Sequence, residues 1–182
     1  MVESREFAKY IVATAQSKGI SLNLTQLQKI TYICDGILLA CGHNIVNENC
    51  RVWEYGPVYP KVYKWYTKAM GKPVSLEDVK PSALAEINSS IAPSVVKDAL
   101  EKFSGWTSVQ LSEWSHLPGS PWDIARTNGG MYSKIDKIDM KNYFTGLGNG
   151  ELLSIVVDEN FTQFKQRSII PRQRIPFPPV QA

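Results

Sequence analysis

The sequence is short of the features that mark most specialised protein classes. It has three cysteines, Cys34, Cys41 and Cys50. Small secreted scaffolds carry even numbers at framework spacings, so a disulfide-built secreted fold is not indicated. Long hydrophobic runs are missing. The longest, from Ile37 to Cys41, falls far below the roughly 20 residues needed to span a bilayer. The opening residues, MVESREFAKY, have no apolar signal core. Charge of one sign is also scarce: the net value of +3 is too small to imply nucleic-acid binding by itself. No Walker loop, G-x-G-x-x-G or H-E-x-x-H pattern occurs. These absences predict a cytoplasmic, non-enzymatic protein with no cofactor and no membrane association.

What is present is an ordinary globular composition. With 43% hydrophobic and 20% charged residues, disorder is not expected before the last stretch. A chain of this size buries about 70% of its unfolded surface, so it needs neither metal nor disulfide to fold.

Helical periodicity dominates. A first helix is expected over residues 5–18, with Ser4 as N-cap and Phe7, Tyr10 and Ile11 on one face. Gly19 stops it. A second helix over 24–41 opens on Asn23 and Gln26, a capping-box variant. It is apolar on so many sides that it belongs at the centre of the core. Residues 51–55 read as a short strand. A third helix, over 60–70, follows Gly56-Pro57 and ends at Gly71. Further helices are expected at 82–88, 93–103, 107–116 and from Ser120-Pro121. A last helix is capped by Asp139. Residues 135–138 read as a strand, so the small sheet should join the Arg51 and Ile135 regions. The predicted architecture is mainly α, a compact helical domain over 1–148 with a minor sheet. Residues 149–182 form an extension, rich in Pro and Arg from Lys165 onward, that is expected to be extended and partly flexible.

Three local motifs carry a resemblance. They are Leu27-Gln28-Lys29-Ile30-Thr31-Tyr32, Trp53-Glu54-Tyr55-Gly56-Pro57-Val58-Tyr59-Pro60-Lys61-Val62-Tyr63, and Leu111-Ser112-Glu113-Trp114-Ser115-His116 followed by Ser120-Pro121-Trp122. In this order and spacing the chain resembles the Panacea domain, the SocA-like antitoxin domain also described as phage-associated, over residues 7–144. Ser115 stands where the family usually has Thr. Residues 72–91 fit poorly, and the stretch beyond Gly148 lies outside the pattern. The resemblance implies a helical domain that neutralises a cognate protein toxin by binding it.

The candidate binding residues are aromatic. Trp53, Tyr55, Pro57, Tyr59 and Tyr63 lie within a few positions of one another, and Trp114, His116 and Trp122 form a second cluster expected to border a groove. Tyr and Trp suit interface hot spots because they bury large areas at small entropic cost. The competing reading makes most of them core residues. Lys61, Lys64 and Lys68 share a helix face and are candidates for electrostatic contact. With Tyr59, Tyr63 and Trp65 nearby they raise the alternative of a single-stranded nucleic-acid binder. Equally, the stripe suits an acidic protein partner, or is simply a solvated face. His116 with Ser115 and Asp123 superficially suggests hydrolysis, but no nucleophile elbow accompanies it. Cys34, Cys41, His43 and Cys50 match no structural zinc spacing, so no metal is expected.

The expected function is therefore that of an antitoxin-like protein. It would sequester a cognate toxin, encoded by a neighbouring gene, through an aromatic-rich surface. The alternatives are a nucleic-acid-binding regulator and an adaptor that delivers its partner to a protease.

Overall fold

The structure, a computed structural model, describes residues 1–69 and 73–147. Among the described residues there are eight α-helices and one two-stranded sheet. Helix α1 spans Ser4–Ser17 and α2 spans Leu24–Ala40. Strands β1 (Arg51–Trp53) and β2 (Gly56–Val58) form an antiparallel hairpin that runs into α3 (Pro60–Ala69). A single 3-10 turn, Leu76–Asp78, leads to α4 (Pro81–Asn88) and α5 (Ala92–Phe103). Then come α6 (Ser108–Ser115), α7 (Pro121–Gly129) and α8 (Lys137–Gly146). No described helix is long and apolar enough to cross a membrane.

Helix α2 is the axis of the fold. It touches α1, α3, α5, α6, α8 and β2, and every residue from Leu27 to Leu39 is buried. Its start matches the sequence reading. Asn23 accepts from the Gln26 backbone N–H at 2.9 Å, and Gln26 returns a bond to the Asn23 N–H at 3.0 Å. This reciprocal box satisfies two backbone donors that would otherwise be orphaned. Thr107 with Gln110 builds a second box, and Ser120 caps α7 by accepting from Asp123 N–H. Gly19 and Gly42 follow their helices with φ of 71° and 83°, in the left-handed region open to glycine.

Four local expectations are corrected. Ser4 is the first helical residue, not the cap, and its hydroxyl donates to Glu48 instead. The last helix is capped by Asp136 rather than Asp139: its carboxylate accepts from Ile138 N–H at 3.1 Å. The partner of β1 is β2, in the register Arg51 to Val58. The Ile135 region contributes only an isolated bridge, Arg51 to Lys134, with Ile135 N–H bonded to Cys50 O at 2.9 Å. A tight Glu54-Tyr55 turn lets the chain pair with itself first. Finally, Cys34 and Cys41 on the second helix both read as buried thiols, but Cys41 is exposed at the end of α2, whereas Cys34 and Cys50 are buried with thiols pushed up by burial. The expected Gly71 stop and the 149–182 extension lie outside the described residues.

Candidate partner-binding site

The hairpin β1–β2 is held from beneath by polar side chains of α2. Gln28 accepts from Tyr59 N–H at 2.8 Å and donates to Tyr59 O at 3.3 Å. The Lys29 ammonium, with the residue only 1% exposed, donates to Pro57 O at 3.2 Å. Asp35 accepts from the Tyr59 hydroxyl at 2.7 Å and lies 3.8 Å from Lys137 Nζ. Buried polar groups of this kind are costly unless bonded, and here their bonds go to one short segment. Burial lowers the Lys29 pKa to about 7. Burial likewise raises the Asp35 carboxyl to about 6, against the opposing pull of Lys137 and Tyr59.

The third motif closes on the same hairpin. Gly56 has φ of 103°, and a methyl group there would overlap Ser115 Oγ and Lys29 Cε. Glycine is therefore required twice, for backbone conformation and for close approach. Beyond Ser115, His116 stacks on Trp122 with centroids 3.8 Å apart. The Trp122 indole N–H donates to Trp53 O at 3.0 Å, which ties α7 to β1. Burial, reinforced by the Lys29 charge, lowers the His116 pKa to about 4.

The sequence-predicted aromatics divide into two sets. Tyr59 and Trp114 are 0% and 1% exposed, and Pro57 is buried within strand β2. Direct partner contact through these three is thus corrected: their side chains complete the core. Trp53, Tyr55, Tyr63, His116 and Trp122 are brought to one rim. Trp53 packs against Tyr63 at 5.0 Å between centroids. Tyr55, at the hairpin tip, is 42% exposed. One rim residue was not anticipated. Tyr132 is 64% exposed, meets Trp53 edge-on at 6.2 Å and has φ of 65°. Its main chain is locked by N–H to Val52 O at 2.8 Å and by Arg51 Nη1 to its carbonyl at 3.2 Å. The preceding Gly129-Gly130 signals a turn, but nothing local reveals that a distant strand holds Tyr132 against Trp53.

The lysine stripe does not join this rim. At about 100° per residue, Tyr63 lies about 160° around α3 from Lys61 by the shorter way, about 140° from Lys68 and about 100° from Lys64. Lys61, Lys64 and Lys68 instead line a separate cleft with Arg5, Glu3 and Trp65. With Tyr59 buried and Tyr63 on the opposite flank, the stacking platform envisaged for single-stranded nucleic acid is not assembled. Nor do the hydrolytic residues form a relay. Ser115 donates its hydroxyl to Ser112 O at 2.8 Å, and Asp123 accepts from Gly119 N–H at 2.9 Å. Among the described residues no three His, Cys, Asp or Glu side chains are placed to share a metal ion.

Comparison with known proteins gives two matches. A family model described as antitoxin SocA-like, Panacea domain, matches residues 27–123, the span that runs from the first motif to the Pro-Trp-Asp start of α7. Antitoxin SocA of Caulobacter vibrioides is 26% identical over 137 residues, which cover 71% of this chain and 73% of that protein. No solved structure matches.

Proposed function

The chain belongs to the SocA-like antitoxin family built on the Panacea domain, and from that premise we propose that it neutralises a cognate protein toxin by binding it through the aromatic rim. The observation that supports this reading is the rim itself. The half-buried Trp53 packs against Tyr63 and the exposed Tyr132, Trp122 is bonded to Trp53 O, and the exposed Tyr55 lies at the tip of the same hairpin, which α2 anchors. Exposed aromatic groups on a rigid support bury large area on binding while losing little conformational freedom. No bond-making chemistry is required: a toxin held against this rim is inhibited by occlusion or by capture in an inactive state. The partner is proposed to be the product of a neighbouring gene.

The test is co-expression of the tagged chain with the products of flanking reading frames, followed by identification of what elutes with it. A stoichiometric partner that arrests growth alone and is silenced by this chain supports the reading. The Trp53→Ala and Tyr132→Ala variants should then lose rescue while their circular dichroism is unchanged. A chain that elutes alone and rescues no neighbour overturns it.

A further inference from the structure

On the flank of α3 opposite the aromatic rim, the N-terminal turn of α1 and the face of α3 enclose a cleft of about 460 Å³. Its cations are Arg5, Lys61, Lys64 and Lys68, and its floor includes Trp65 and Ala69. The charges are not balanced locally. Glu3 is the one carboxylate among the described cleft residues, and it is already held by Lys80 at 3.3 Å and by Arg5 at 3.5 Å. Arg5 is engaged a second time, by Glu6 at 3.1 Å. Among the described residues, none of the Lys61, Lys64 and Lys68 ammonium groups makes a hydrogen bond or ion pair. Three like charges therefore stand along about two turns of one helix without a direct ion pair, Lys61 acting on the Glu3 carboxylate only through space.

The cleft does not end at Trp65 and Ala69. The same two residues line a second hollow of about 350 Å³ on their other side. There the walls include the apolar Val12, Ile20, Leu22, Tyr66 and Val74 beside the polar Gln16 and Ser21. The surface is thus polarised: cationic at one end, aliphatic and aromatic at the other.

We propose that this composite groove is a second docking surface, for an extended protein segment whose carboxylates meet Lys61, Lys64 and Lys68 and whose apolar side chains pass Trp65 into the adjoining hollow. The inference is independent of the toxin reading. Charge complementarity selects an anion, and the apolar half selects polypeptide over nucleic acid. A nucleic acid continues its phosphates and stacks successive bases on several rings. Here the cationic end holds one half-buried ring, Trp65. Surface charges of this kind chiefly steer and orient a partner, so binding should weaken as salt rises.

The experiment uses the full chain and fluorescence anisotropy with labelled peptides. These are an oligoglutamate run, the same run with two leucines at either end, and an oligothymidylate of equal charge. The leucine-bearing peptides should bind more tightly than the plain run, and salt should weaken them. The combined variant Lys61→Glu, Lys64→Glu, Lys68→Glu should lose roughly tenfold or more in affinity. Matched reversals at Lys97, Lys102 and Lys141, on other elements, should change it by no more than about twofold. Trp53→Ala and Tyr132→Ala should leave it unchanged, which separates this groove from the rim. If the reversed variant misfolds by circular dichroism, the Lys→Gln triple gives the same readout. The proposal is overturned if no acidic peptide binds, or if both sets of reversals act equally. It is also overturned if the leucines add nothing, or if the oligothymidylate binds more tightly than the peptides.

Discussion

Two aromatic clusters in this molecule have opposite fates. In the interior, Trp114 meets Tyr32, Phe103 and Phe144 at 6.5, 6.4 and 6.1 Å between centroids. Those rings are fixed by one another, mostly at edge-on angles favoured by their quadrupoles. At the rim, Trp53 meets Tyr63 and Tyr132 at 5.0 and 6.2 Å, but Trp53 and Tyr63 are only half-buried and Tyr132 is exposed. What fixes the rim is hydrogen bonding of its backbone: Trp122 to Trp53 O, Lys29 to Pro57 O, Gln28 to the Tyr59 peptide. An exposed ring can be held still only by a scaffold gripped from below. The buried polar residues of α2 supply that grip, which accounts for their place in an otherwise apolar helix.

Substitutions can break the comparison at either end. Trp114→Ala should have the largest effect, a loss of about 3–5 kcal/mol from removing a fully buried indole. Urea denaturation would show it, and a loss below about 1 kcal/mol would mean that the interior cluster is not what stabilises the fold. Next, Gly36→Ala would drive a methyl group into the Phe144 ring where α2 crosses α8. Overpacking of that kind costs about 1–3 kcal/mol, read as a lowered thermal midpoint.

Lys29, buried under the hairpin, gives a pH test. Its folded pKa is about 7 against an ordinary 10.5. Between those values the unfolded chain holds a proton that the folded chain has released, so this group makes stability rise with pH across that window. Below it both states are protonated and the cost of burying the charge is fully present. Lys29→Met should therefore flatten the pH dependence and raise stability most on the acid side. Parallel urea titrations of both proteins would decide this, and an unchanged slope would show that Lys29 is not buried as a poorly paired base.

At the rim the expected stability effects are smaller. Trp122→Phe removes one indole hydrogen bond to Trp53 O, worth about 1 kcal/mol, and should loosen the rim enough to reduce toxin rescue. Tyr132→Ala should change stability by no more than about 0.5 kcal/mol yet weaken partner binding, measurable by co-purification yield. If instead Tyr132→Ala destabilises as Trp114→Ala does, the distinction between the two clusters fails.

By itself the sequence determined the helical class, the central place of α2 and most element ends. The caps at Asn23, Thr107 and Ser120 were legible because each depends on a bond spanning three residues. Where the reading slipped, at Ser4 and Asp139, two polar residues within a few positions competed for the same role. The proximity of Trp53, Tyr55 and Tyr63, and of His116 and Trp122, was legible along the chain. Their separation from Tyr59 and Trp114 was not. Only the tertiary structure decided which rings face solvent, because burial depends on partners far along the chain. Tyr59 lies beneath the hairpin through Gln28 and Asp35, 31 and 24 residues away. Tyr132 reaches the rim by pairing with Val52. The lysine stripe was visible as a helical period, but its separation from the rim follows from how α3 is turned against α1 and the hairpin. Local bonds are written in neighbouring residues, whereas exposure is set by packing between elements that the chain brings together only when folded.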